Sequence, residues 1–409
     1  MSKECVLNVK NFIKRSGELE PSLQAFTSIN SSQILNEAEE LDKLKPSQRG
    51  ALHGLLVAVK EVYDVAGYNC GWGTPIHNKR VPQRDAAMVS QLRAAGAIIA
   101  GITVSTEYAI STTGPTTNPH DQERTPGASS QGSAAAVAAG LVPAALGSQT
   151  IGSVIRPAAY CGCLGFKPSW GLFDVSGSMS LSKSIDHAGL FTRDIKTMLE
   201  LANILQPKYD WLENYSLKSK AIMIEPWYEE KTDSSVINTL NEVEKKLRHL
   251  NFTVDKITLP SEIVKHEEEL VTTLLTAGMA HNHIGDFNQA KDQMSKRVCE
   301  FITAGIKVSK EKYESALNEQ KHIATMLDKM FSDTVFITAS TTGIAPLKQH
   351  GTGSRAPQRL WTLGGLPTLT IPYSTDKGLP VGVQIGASRG ADQATFAMAQ
   401  MLMGSIIPN

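Results

Sequence analysis

No apolar run in this 409-residue sequence approaches the roughly 20 residues that a membrane-spanning helix needs. Net charge is missing too. Forty basic residues balance 40 acidic ones, so composition calls for neither a nucleic acid nor an anionic membrane, and a small neutral or weakly charged ligand fits better. Cysteine is scarce and odd in number, five, which argues against a disulfide framework. With no basic-then-apolar leader at the start, the expectation is a soluble protein in a reducing cytoplasm, where the N-x-[ST] triplets at Asn30, Asn214 and Asn251 would receive no glycan. Metal-ligand spacing is absent: His281 and His283 form an H-x-H pair without a partner pattern, and Cys161-Gly162-Cys163 is not C-x-x-C. No G-x-G-x-x-G or Walker pattern occurs, so neither cofactor nor metal is expected. Serine is plentiful between Gly127 and Gly162, yet no G-x-S-x-G stands there, which excludes the usual nucleophile elbow.

What is present is an alternation of helical and apolar extended segments. Residues 1–45 read as a helical lead-in on either side of Pro21. Leu55 to Val59 form a five-residue apolar run, the mark of a strand covered on both faces, and Lys60 ends it. Met88, Val89, Leu92 and Ala95 share a helical stripe closed by Gly96, and "AIIAGITV" follows as a second buried strand. "SAAAVAAGL" from Ser133 is a strong helix former, and "AALGSQT" is a strand running into the loop that holds Ser153. Ser235 to Leu250 forms an amphipathic helix with Val236, Ile237, Leu240, Val243, Leu247 and Leu250 on one side. Residues 225–330 read as a mostly helical cap behind a solvated charged loop at 225–233. "DTVFITAS", "LPTLTIP" and "LPVGVQIGA" are the last strands. The fold class expected is α/β: one domain over 1–409, an α/β/α sandwich around a large mixed, twisted β-sheet.

Two kinds of residue could carry chemistry. Lys60 closes a buried strand, where it is either a snorkelling end residue or an amine whose pKa is lowered by desolvation, able to take a proton without any histidine. Ser129, Ser130, Ser133 and Ser153 lie in or beside glycine-rich loops. Turn and cap chemistry accounts for Ser133, but Ser153 follows Thr150-Ile151-Gly152, whose backbone N–H groups could converge on one oxyanion. His187 merely adjoins Asp186 in sequence, which says nothing of a triad.

The residues Gly127-Ala128-Ser129-Ser130-Gln131-Gly132-Ser133, Thr150-Ile151-Gly152-Ser153, Pro157-Ala158-Ala159-Tyr160-Cys161-Gly162 and Gly165-Phe166-Lys167-Pro168 resemble the signature region of the amidase signature family. The likeness extends to "GLLVAVKEVYDVAG", "SIDHAGLFTRD", "GLPTLTIP" and "GLPVGVQIG". It implies a catalytic set of Ser153 as nucleophile, Ser129 as a bridging serine after a cis peptide bond and Lys60 as base. The backbone of Thr150, Ile151 and Gly152 would form the oxyanion hole. Departures from the family pattern are Ile151, Ala128 and Gln131 in place of glycines, and Gln149 where an acid is common. Gln149 with Arg156 looks most like malonamidase-type members, in which the arginine grips a substrate carboxylate. Arg156, Ser130 and Gln149 are therefore candidates for substrate binding, against the alternative that Arg156 braces its loop through backbone carbonyls.

The implied function is hydrolysis of a small linear carboxylic amide, its substrate a dicarboxylic half-amide in the narrower form, with no nucleic-acid or membrane partner and a homodimer as the family's habit. The alternatives are an amidotransferase subunit working with partners on aminoacylated tRNA, an allophanate or carbamoyl-urea hydrolase, and a catalytically silent binding protein. The short neutral chain and the Arg156 loop speak against the first.

Overall fold

The computed structural model of the chain describes residues 3–110, 112–211 and 217–404. Asn214 of the N-x-[ST] triplets lies outside them, as do the first two residues of the helical lead-in. The strands are β1 (Phe26–Ser28), β2 (Leu56–Lys60), β3 (Ile98–Thr103), β4 (Ala144–Gln149), β5 (Leu164–Lys167), β6 (His187–Thr192), β7 (Lys220–Ile224), β8 (Thr253–Ile257), β9 (Val335–Ala339), β10 (Thr368–Asp376) and β11 (Leu379–Gly386). They join in one 11-stranded sheet of order β1-β3-β2-β4-β6-β5-β10-β11-β9-β7-β8. Its pairing is mixed. β2 lies parallel to both β3 and β4, β7 lies parallel to β8 and β9, and the pairs between these groups are antiparallel.

Alternation along the central strands shows why helices cover both faces. Val57 and Val59 of β2, Ile99 and Ile102 of β3, and Ala144 and Leu146 of β4 point into one apolar core. Leu56, Ala58, Ile98, Ala100 and Ala145 point into a second, where they meet helices Glu4–Leu23, Ser31–Asp42, Gln131–Ala138 and Ile155–Cys161. Side chains alternate across a strand, so a strand apolar at every position must be buried on both sides. The α/β sandwich follows directly.

Several expectations need correcting. Pro21 does not divide the lead-in: the first helix runs from Glu4 to Leu23, and Pro21 falls in its last turn, where a missing N–H removes one bond at an end that is already closing. The short β1 follows, pairing with β3 at the sheet edge. The region 225–330 is helical through Ser234–His249, Glu267–Ala290, Lys296–Ile306 and Lys310–Met330, but β8 interrupts it. Ile237 and Leu250 of the amphipathic segment are exposed rather than packed. Among the described residues no helix is long and apolar enough to cross a membrane.

Candidate active site

β2 and β4 are parallel neighbours, so their carboxyl ends lie side by side, the place where open α/β sheets gather ligand-binding residues. Lys60 is the last residue of β2, and Ser148 and Gln149 end β4. The loop Thr150–Val154 then turns into helix Ile155–Cys161. A third segment comes in from the start of helix Gln131–Ala138, bringing Ser129 and Ser130. Ser130 stitches this segment to β4: its hydroxyl donates to the Ser148 carbonyl at 3.2 Å and accepts from the Ser148 N–H at 3.3 Å. The peptide bond between Ala128 and Ser129 is cis.

The result is a lysine surrounded by hydroxyls. Lys60 Nζ lies 2.7 Å from Ser129 Oγ and 3.0 Å from Ser148 Oγ. Its side chain is 0% exposed, and among the described residues it forms no ion pair with a carboxylate. Desolvation lowers its pKa from the ordinary 10.5 to about 7, against the weaker opposing pull of Glu61 and Asp186. A lysine at the end of an apolar strand is thus drawn inward, not snorkelling to water.

Ser153 is 7% exposed, and among the described residues its hydroxyl has no hydrogen-bond partner. The bond from Ser153 to Ser129 that a proton relay requires is not made here. Catalytic hydrogen bonds often close only once substrate docks. Among the described residues the N–H groups of Thr150, Ile151 and Gly152, and that of Ser153 itself, donate to no protein acceptor, so the turn presents free donors beside the hydroxyl. Thr150 holds the turn from below through a 2.7 Å bond from its hydroxyl to Asp186 Oδ1. Asp186 accepts further bonds from Ser180 Oγ and the N–H groups of Leu181 and Ser182, each at 2.8 Å. A cavity of about 820 Å³ opens beside this turn, with Ser148, Thr150, Asp186, Trp170 and Lys183 in its wall, while Lys60, Ser129 and Ser153 stand behind that wall and do not line it.

The three substrate-binding candidates have other work. Gln149 is buried, and its Oε1 accepts from Val154 N at 2.9 Å and Ile155 N at 3.1 Å, so it caps the helix after Ser153. Ser130 is committed to Ser148. Arg156 is fully buried and donates to Gly353 O at 2.7 Å and to Ala128 O at 2.6 Å. Desolvation lowers its pKa to about 10. The bracing reading of Arg156 is the one that matches this geometry: it ties the carbonyl before Ser129 to the loop at Gly353. An Arg156 anion clamp therefore no longer speaks against an amidotransferase role.

Sequence reasoning missed Ser148, the second neighbour of Lys60, and the bracing roles of Asp186 and Gln149. The β4 alternation could have signalled Ser148, since it lies one residue on from Gly147, opposite the end of β2. Ser133 bonds Thr103 Oγ1 at 2.7 Å and Leu146 O at 2.9 Å, a purely structural pairing. His187 Nδ1 donates to the Ile185 carbonyl at 2.8 Å, and Asp186 faces elsewhere. Far from the site, Cys5, Asp42 and His53 come within 4.8 Å of one another, but both Asp42 oxygens accept helix N-terminal N–H groups, from Cys5 and Val6 at 3.0 Å each.

Known proteins resemble this chain over nearly all of its length. The family model described as Amidase matches residues 8–396. In Methanococcus maripaludis, a glutamyl-tRNA(Gln) amidotransferase subunit is 29% identical, over 92% of this chain and 95% of its own. A crystallised amidase superposes with a TM-score of 0.88 at 28% identity, covering 98% of this chain and 96% of that one. The peptide amidase of Stenotrophomonas maltophilia shares the fold, with a TM-score of 0.84 at 22% identity over 98% of this chain and 93% of its own.

Proposed function

From the premise that this chain belongs to the amidase signature family, whose members include carbon–nitrogen hydrolases, we propose that it hydrolyses a small linear carboxylic amide through an acyl-enzyme on Ser153. The observation that carries this reading is the buried, ion-pair-free Lys60 amine 2.7 Å from Ser129 Oγ. Neutral Lys60 takes the Ser129 proton while Ser129 takes that of Ser153, and Ser153 Oγ attacks the amide carbonyl carbon. The oxygen of that carbonyl gathers negative charge, which the backbone N–H groups of Thr150, Ile151 and Gly152 receive, with the Thr150 hydroxyl fixing the turn on Asp186. The tetrahedral intermediate then collapses, its C–N bond breaks, and the proton returns along Lys60, Ser129 and the departing nitrogen, which leaves as ammonia or amine. Water repeats the sequence on the ester and releases the acid.

The test is ammonia release from a panel of linear amides by the purified chain alone, in wild type and in Ser153→Ala. Release that disappears in the variant supports the reading. A second reading has its own support in the M. maripaludis relative, which belongs to an amidotransferase. On that reading the purified chain is silent on every amide and becomes active only with partner subunits. Inclusion of allophanate in the panel separates the related urea chemistry.

A further inference from the structure

Helix Arg359–Leu363 follows directly on the helical turn Ala356–Gln358, and the two lay one face over the oxyanion turn. Gln358 and Thr362, four residues apart, share that face. The Thr362 hydroxyl donates to Ile151 O at 3.5 Å. A Cβ on Gly152 would come within 2.8 Å of Gln358 Oε1, so that oxygen sits against the residue before the nucleophile. Three anchors fix it there. Gln358 Nε2 donates to Ser340 O, Pro357 O accepts from Gln384 Nε2 at 3.2 Å, and Arg359 is held by Glu230, Glu267 and Glu268 at 3.0, 2.9 and 3.1 Å.

With its nitrogen committed to Ser340, the Gln358 carboxamide presents only its oxygen to the turn. The residue is 0% exposed, and among the described residues Oε1 has no hydrogen-bond partner. A buried acceptor left unbonded is unfavourable, and a ligand that brings a donor to it recovers the loss. The turn supplies the complementary set, the N–H groups of Thr150, Ile151 and Gly152, none of which donates to Oε1 or to any other protein acceptor among the described residues. Free donors and a free acceptor on one turn match an amide: its carbonyl oxygen meets the N–H groups, and its nitrogen turns an N–H to Gln358. An ester fails the second contact, because its leaving oxygen only accepts and would face another acceptor.

We infer that Gln358 Oε1 accepts an N–H of the scissile amide, so that the substrate class is carboxamides with hydrogen on that nitrogen, selected over esters of the same acids. Primary amides fit first, since they present an N–H in either orientation of the C–N bond. This inference rests on the amidase reading above and adds to it a residue that touches the reacting nitrogen. As Ser153 Oγ bonds to the carbonyl carbon, the nitrogen goes from planar to pyramidal and gains a lone pair. A fixed acceptor on one N–H orients the nitrogen and leaves that lone pair free for the proton that Ser129 returns as the C–N bond breaks. Gln358 itself gains and loses no proton.

The experiment compares wild type with Gln358→Met on a primary amide and on the methyl ester of the same acid. In the variant kcat/KM for the amide should fall roughly 5- to 30-fold while that for the ester holds or rises, so the amide-to-ester ratio drops by at least that factor. Gln358→Asn, whose oxygen is withdrawn by one methylene, should lower the ratio as well and serves if the Met variant does not fold. Fluorophosphonate labelling of Ser153, which involves no N–H, should stay within about threefold of wild type in both. Amide and ester falling together, or labelling lost with them, would make Gln358 a prop for the turn and overturn the assignment. Wild type that turns over neither substrate sinks the amidase reading and this inference with it, whereas turnover of both with an unchanged ratio in the variants sinks the inference alone.

Discussion

Replacing Lys60 by Met should destroy activity and raise stability in the same molecule. An amine at its ordinary pKa of 10.5 is neutral in about one chain in 3000 at pH 7, whereas one lowered to about 7 is neutral in about half. The unfolded chain therefore binds more protons at this residue than the folded one between about pH 7 and 10.5. Unfolding free energy from Lys60 rises with pH across that window, and the penalty is fully present below it. The full penalty is on the order of 5 kcal/mol at most. Against it stand the bonds to Ser129 and Ser148, about 1 kcal/mol each. Lys60→Met should thus be about 1–3 kcal/mol more stable than wild type at pH 6, and the gap should close or reverse by pH 10. Lys167, also lowered to about 7 by burial, is common to both proteins and cancels. Urea unfolding at pH 6, 8 and 10 reads the difference. In parallel, wild-type kcat/KM should climb through a midpoint near pH 7, and Lys60→Met should lose roughly 100- to 10,000-fold. A variant less stable than wild type at pH 6, or one keeping a tenth of the activity, would refute the neutral-base reasoning.

Arg156→Ala should cost about 2–4 kcal/mol in urea unfolding, because it strands the Gly353 and Ala128 carbonyls, and it should weaken turnover of carboxylate-bearing and neutral amides alike. Selective loss on the carboxylate-bearing set would restore Arg156 as the clamp. Gly127 has φ +86°, and a Cβ there would lie 2.8 Å from Pro157 Cα, so Gly127→Ala should cost about 1–3 kcal/mol, read by the same unfolding assay. Burial pushes the thiol of Cys5 up to about 11 and those of Cys70 and Cys163 to about 12, and that of Cys161 upward as well. A disulfide reagent at pH 8 should therefore modify at most the half-exposed Cys299 quickly, and the other four only after denaturation.

The parts of this molecule that sequence made legible are those where burial and backbone chemistry coincide with local pattern. Lys60 stood out because it closes an uninterrupted apolar run, and Ser153 because a glycine precedes it in a turn. β2, β3, β4, β9, β10 and β11 announced themselves by apolar runs. β5, β6, β7 and β8 did not: β5 is only four residues long, β6 opens on His187 and offers no apolar run longer than two residues beyond Gly189, β7 offers only the apolar run Ala221 to Ile224, and β8 is an edge strand with polar Thr253, Asp255 and Lys256 on its open positions. The role of Gln149, and the choice between clamp and brace for Arg156, were not legible for another reason. Chain position fixes neither the direction of a long side chain nor the acceptor it finds, and Gln149 reaches five and six residues forward to cap a helix.

The central claim is that Ser153 becomes acylated while Lys60, acting through Ser129, removes its proton. Mass-spectrometric mapping of the fluorophosphonate adduct tests it most directly, in wild type, Ser129→Ala and Lys60→Met at pH 8. The expected result is an adduct on Ser153 alone in the wild type, formed roughly 100-fold or more slowly in either variant. An adduct on another serine, or labelling of Ser153 at the wild-type rate without Lys60, would contradict it.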